Sequence, residues 1–412
     1  MLYDRAEHIY RSGAKCLVES FYMSCKKIIY LARTDIHPYI GKSIFLNKIK
    51  KSDWNFEVWD LSKFFKNTEM VSLSDKVIKV VDINSIRSLL EQQDPNVVFI
   101  PLFTIELETY WVFRLLRKYR KISVRIDTGM IPSSIRNSSI DRWKDRALSM
   151  RLDVFSIRRV VKRFLISILN LAYGTNDYIY DLVFISSQNL SNRYHDDSVF
   201  VKINSLDYDT YQEFNKNYIK HPKKYVVFLD ENAPHHPDSK LFNQLTVNSD
   251  KYYKGLNTFF DFLQSKFNIE VVIAMHPTSS NNLHKYNQRV FYGNTEELVR
   301  GSEFVVSHSS TSISYAILHN KPIMTIFNNE VKEFGHRANY HMICSFAKAV
   351  SANMYNVDDY ISFKDITLPV SNLNAYHDYK YTYLTSKETE NRISGDIFIK
   401  SLDELHSTVL TQ

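Results

Sequence analysis

The sequence predicts an α/β protein built of two units, each a parallel sheet with helices on both faces. Three observations carry that prediction. Short β-rich runs alternate with helical stretches through the first half, and the same rhythm restarts in the second. A polar, aromatic stretch without a clear period separates the two series. The chain has 412 residues with 44% hydrophobic and 24% charged content, enough for two ordinary folded domains.

In the first half the strand candidates are KKIIYLA (26–32), FEVWDLS (56–62), VIKVVD (77–82), NVVFIPLF (96–103), ISVRID (122–127) and DLVFISS (181–187). In the second they are KYVVFLD (224–230), IEVVIAMHP (269–277), EFVVSHS (303–309) and KPIMTIF (321–327). The separating stretch, DYDTYQEFNKNYIKHPKK, runs from 207 to 224, and the boundary is expected near Lys216, giving units 1–216 and 217–412. Residues 133–173 read differently, as a basic helical insertion that becomes increasingly apolar and contains Trp143 and Phe155. Its Phe155, Val160, Phe164 and Leu165 fall near one face and its Arg158, Arg159, Lys162 and Arg163 near another. That pattern suits a helix lying on an anionic bilayer, and equally a surface helix packed on the sheet.

Composition excludes several classes. Three cysteines, Cys16, Cys25 and Cys344, cannot make a disulfide framework, and the first thirty residues lack the apolar core of a signal peptide. A reducing cytoplasm is therefore expected. No run of eighteen apolar residues suggests a membrane span. The net charge of +7 is modest, and no nucleic-acid partner is expected. Nine glycines leave little room for Gly-rich phosphate loops, and neither GxxxxGK[ST] nor GxGxxG occurs. A Gly-x-Ser-x-Gly nucleophile elbow is also absent.

Open parallel sheets bind ligands at the carboxyl ends of their strands, so those residues are the candidates. In VVSHSSTSISYAILHNKPIM (305–324) a strand breaks into Ser307, His308, Ser309, Ser310 and Thr311 before a helix expected from Thr311 to His319. Free amides, hydroxyls and the positive helix end would suit an anion, most simply a phosphate, though serine also serves as a plain helix cap. Alternation along the strand turns His308 away from Ser309, so it is read as packing or support. His276 follows a strand, and Pro277 holds it extended, as suits a donor to phosphate or a general acid. Asp230 and Glu231 end a strand on opposite faces, so at most one addresses a substrate. Asn232 tolerates the left-handed turn that follows. His235, His236 and Asp238 are too few for a metal site, and no metal is expected. In GNTEELVRGSEF (293–304), Asn294 or Thr295 would cap a helix with Glu296 and Glu297 in its first turn. Those carboxylates either favour the helix or accept from a ribose.

Taken in order, LDEN (229–232), MHP (275–277), GNTEEL (293–298) and SHSSTSISYAILHNKPI (307–323) resemble the carboxyl-terminal half of bacterial GT-B glycosyltransferases that use CMP-activated sugars. The likeness is to sialyltransferase and polysialyltransferase groups of surface-polysaccharide biosynthesis, and it covers roughly residues 225–330. It implies a GT-B fold, two Rossmann-like domains facing a central cleft. It implies Asp230 or Glu231 as general base, His276 and Pro277 at the CMP phosphate, and Ser309, Ser310 and Thr311 as phosphate donors. Thr295 with Glu296 or Glu297 would meet the cytidine ribose. Asn232 stands where that pattern has glycine, which leaves Asp127, before Thr128 and Gly129, as a reserve base from the opposite domain.

The function expected is inverting, metal-independent transfer of a CMP-activated acidic sugar, such as a sialic or other nonulosonic acid or a Kdo-like sugar. The acceptor would be a capsule or lipopolysaccharide glycan, lipid-linked in some cases, at the cytoplasmic face of the inner membrane through 133–173. No cofactor is implied beyond the donor. Competing expectations are a CDP-polyol phosphotransferase of the teichoic-acid type, a UDP-sugar epimerase and an inactive binding module.

Overall fold

The computed structural model describes residues 26–36, 38–65, 76–129, 132, 178–214, 224–235, 247–277, 279, 284–333 and 337–411. The proposed basic insertion 133–173, the boundary residue Lys216, and His236 and Asp238 lie outside them.

Two parallel sheets make up the described residues. The first holds β1 (Lys27–Ala32), β2 (Asn55–Asp60), β3 (Val77–Lys79), β4 (Val98–Pro101), β5 (Ile122–Asp127), β6 (Leu182–Ile185) and β7 (Val199–Lys202), in the order β3-β2-β1-β4-β5-β6-β7. The second holds β8 (Tyr225–Leu229), β9 (Glu270–Ala274), β10 (Arg289–Phe291), β11 (Val305–Ser307), β12 (Ile323–Phe327) and β13 (Met354–Asn356), in the order β10-β9-β8-β11-β12-β13. Pairing is parallel throughout, as in Val305 beside both Val227 and Ile323. The predicted α/β class with two Rossmann-like sheets is therefore observed.

Central strands such as YVVFL are buried along their whole length. Strands covered on both faces need apolar residues at every position, which is why they were readable from continuous runs. One face of the second sheet packs Phe228, Ile273, Val306 and Ile326 against Tyr252, Leu256 and Phe260 of the helix Ser249–Phe267. The other packs Leu229, Ala274, Val305 and Ile323 against Ile313, Ala316 and Tyr376. Three edge strands escaped the sequence reading: β7, β10 and β13 are short and half exposed, so they lack the continuous run.

Two expectations are corrected here. The stretch after Asp207 is no simple connection, because Leu206–Phe214 is helical. It lacks an apolar stripe because polar contacts hold it: Lys42 Nζ donates to Thr210 at 2.7 Å and Tyr208 donates to the Glu390 carbonyl at 3.2 Å. The second correction concerns the unit 217–412. The final helix, Ser394–Thr411, returns to the first sheet, where Ile397, Phe398 and Leu402 share a core with Tyr30, Val98 and Phe184. Asp403 fixes it there, accepting from Lys26 at 2.8 Å and from Trp54 Nε1 at 2.9 Å.

Candidate functional site

In each sheet the strand order reverses once, between β1 and β4 in the first and between β8 and β11 in the second. At such a reversal the loops after the two central strands diverge to opposite faces and leave a crevice, the usual ligand position of an open α/β sheet. The residues following β8 are Asp230 and Glu231, and those following β11 are His308 and Ser309. Two segments 78 positions apart meet there: the Ser309 amide donates to Glu231 Oε1.

Just past the end of β8, Asp230 and Glu231 have different surroundings. Asp230 is 3% exposed. Its Oδ1 accepts from the Tyr286 hydroxyl at 2.7 Å, and its Oδ2 from Ser279 Oγ at 3.3 Å and the His276 amide at 3.4 Å. Glu231 is only partly buried, yet its carboxyl is substantially desolvated. Burial pushes its pKa up to about 7 against the lowering effect of the Ser309 amide, and the charge of Asp230 raises it further. A carboxylate near 7 exchanges protons at neutral pH. Asn232 turns the chain after them in the left-handed region, φ 51°, as expected for asparagine.

The hydroxyl turn is graded from inside to outside. Ser307 and His308 are fully buried, Ser309 is nearly so, Ser310 is half-buried and Thr311 is exposed. His308 Nδ1 lies 2.7 Å from the Ile326 carbonyl and Nε2 lies 3.2 Å from the Tyr252 hydroxyl. The supporting role expected for His308 is thus met by both ring nitrogens. Burial pushes its pKa down, so the ring is neutral. The helix expected from Thr311 to His319 is shorter: a 3-10 turn over Thr311–Ile313 precedes an α-helix of Ser314–Leu318. Its axial dipole is correspondingly small, and recognition of an anion would fall to local donors. Ser310, at the cap position, makes no side-chain capping bond. The Ser309 amide, expected to hold phosphate, is instead occupied by Glu231, and Ser310 and Thr311 are the outward residues of the turn.

His276 is half-buried at the end of β9, with Pro277 exposed behind it. Its carbonyl accepts from the Ser279 amide at 2.9 Å, closing a turn whose other bonds run to Asp230. Thr295 begins the helix Thr295–Gly301, preceded by Gly293 at φ 73° and Asn294 at φ 51°; no side-chain cap from Asn294 forms. Glu296 and Glu297 diverge. Glu297 is exposed, whereas Glu296 is 5% exposed and bonded to His319 Nε2 at 2.6 Å.

Asp127 ends β5, one strand away from the reversal of the first sheet. It accepts from the Tyr194 hydroxyl at 2.9 Å and lies 3.5 Å from Arg193. Three further residues lie near these side chains. Tyr286 is one; the others are Asp207 and Tyr211 on the helix Leu206–Phe214. Asp207 lies against the Ser314 and Tyr315 hydroxyls, and burial raises its pKa to about 6. Tyr211 packs edge-on against His319 at 5.0 Å. Asp209 accepts from Asn204 and from the Ser394 amide. Among the described residues there is no group of three metal-ligating side chains, and no helix is long and apolar enough to cross a membrane.

No family model matches this chain, and neither does any curated protein. Solved structures with a similar layout include the H444N variant of the wall teichoic acid polymerase TagF, with TM-score 0.47 and 11% identity over 94% of this chain and 90% of that one. Another is the spinosyn forosaminyltransferase SpnP, with TM-score 0.47 and 11% identity over 93% and 100%. A third is the UDP-GlcNAc 2-epimerase of Methanocaldococcus jannaschii, with TM-score 0.43 and 13% identity over 92% and 99%.

Proposed function

We propose that this protein is a glycosyltransferase of the GT-B type, moving a CMP-activated acidic sugar onto a glycan acceptor. One observation supports it above the others: Glu231, with a pKa about 7, bonds to the Ser309 amide across the strand reversal of the second sheet. A proton acceptor and a hydroxyl-lined turn thereby belong to one site. The choice of CMP over other nucleotides comes from the ordered motifs at 229–232, 275–277, 293–298 and 307–323.

In this reading the acceptor hydroxyl gives its proton to Glu231 as its oxygen bonds to the anomeric carbon of the donor sugar. The bond from that carbon to the CMP phosphate breaks, and the electron pair leaves on the phosphate. His276 donates to that phosphate, and Ser310 and Thr311 hold it. Fixed donors at the developing charge stabilise the transition state without a metal. Glu297 is the exposed carboxylate available to the ribose, while Glu296 stays with His319. The first sheet holds the acceptor, and residues 133–173 touch an anionic membrane at its cytoplasmic face.

Incubation with a CMP-nonulosonic acid and a surface-glycan acceptor tests the proposal. Release of CMP with a new glycosidic bond is expected. Turnover of CDP-glycerol to a phosphodiester, or epimerisation of a UDP-sugar with no acceptor consumed, would replace it.

A further inference from the structure

A buried carboxylate keeps its charge only if each oxygen meets a donor. Asp230 satisfies this with one side chain and one turn: Tyr286 on Oδ1, and the His276 amide with Ser279 Oγ on Oδ2. We propose that Tyr286 is a positioning residue, acting through Asp230 to hold the His276 turn. The inference rests on the reading above only in giving His276 a task at the departing phosphate.

The geometry leaves Tyr286 little freedom. Its ring is 8% exposed and wedged by Tyr253 at 4.8 Å, Phe228 at 6.2 Å and Phe260 at 6.4 Å, so its hydroxyl cannot swing to another acceptor without unpacking the core. Burial and the neighbouring negative charges keep the phenol protonated, as a donor to Asp230 must be. Burial first, and then the charge of Asp230, raises the pKa of Tyr252, so its phenol also stays protonated. Beyond it, the Ile326 carbonyl can only accept, so His308 Nδ1 carries the proton. His308 Nε2 is then the acceptor for the Tyr252 hydroxyl. A polar path thus runs from the Ile326 carbonyl through His308 to the Tyr252 hydroxyl. It fixes the ends of three separate segments behind the site.

The same contacts argue that Asp230 is not the base. Asp230 is 3% exposed, so an acceptor hydroxyl has little access to either oxygen without unpacking Tyr286 or the His276 turn. Asp230 therefore acts on His276 by placement.

Tyr286→Phe removes the donor and keeps the ring, and hydrogen exchange reads the turn directly. Faster exchange at the His276 amide, about tenfold, with β8 and β9 protected as in wild type, is the expected result. Unchanged exchange at His276 in the folded variant overturns the brace. In steady-state transfer, kcat should fall about tenfold while the donor KM stays within about twofold. Tyr253→Phe, in the same aromatic core, should change neither. Adding Tyr286→Phe to Asp230→Asn should lower kcat no further, since both act through one carboxylate. Raised exchange with unchanged kcat overturns the positioning role. A wild-type protein without CMP binding or transfer sinks the functional reading alone, and the exchange result then still decides whether the brace exists.

Discussion

Asp230 and Glu231 are neighbours in the chain, yet the two faces of the second sheet give them different chemistry. On one face Asp230 is closed in by Tyr286, Ser279 and the His276 amide. On the other, Glu231 meets donors of one residue, Ser309, and burial pushes its pKa up to about 7. The difference teaches that desolvation raises a carboxyl's pKa where its few donors do not offset the loss of water.

The sharpest way to break this contrast is Glu231→Gln. Turnover should fall about a thousandfold with CMP binding retained, and the acid limb of the rate profile near pH 7 should vanish. Retained turnover, with Asp230→Asn inactive and folded, would reverse the two roles. His276→Ala comes next, with a loss of about a hundredfold in kcat and little change in the thermal midpoint.

Stability against pH separates the two faces without any substrate. Folded Glu231 holds its proton up to about 7 while the unfolded chain releases it near the ordinary 4.5, so this group favours folding below that range and the benefit is lost as pH rises through 7. Glu231→Gln should therefore raise stability at pH 8 by about 2 kcal/mol and leave pH 4 nearly unchanged, measured by urea unfolding. His308 has the opposite sign. Its pKa is depressed from 6.5, so its contribution is complete above that value and is lost as pH falls through the folded value. A His308→Gln protein should lose about 1–3 kcal/mol at pH 8, where the Tyr252 hydroxyl loses its acceptor, and should depend less on acid. The smallest effect belongs to Ser310→Ala, about threefold in CMP affinity, since one exposed hydroxyl donor is removed. An unchanged affinity would move the phosphate away from the turn.

Most of the fold was legible because doubly covered strands write themselves as apolar runs. YVVFL, EVVIA and IMTIF each became a strand. What escaped was held by tertiary contacts: the helix Leu206–Phe214 and the return of Ser394–Thr411 to the first sheet leave no local period to read. At the site, the opposite facing of Asp230 and Glu231 followed from alternation alone. The occupation of the Ser309 amide by Glu231 did not, because it joins segments 78 positions apart. Tyr286 was invisible for a related reason. Its significance lies in the single atom its hydroxyl meets, and an isolated tyrosine among 27 carries no such signal.

Calorimetric titration with CMP, UDP and GDP tests the central claim most directly. The account predicts that CMP binds most tightly to the wild-type protein and still binds to Glu231→Gln. Preference for UDP or GDP, or no binding of any of the three, would contradict it.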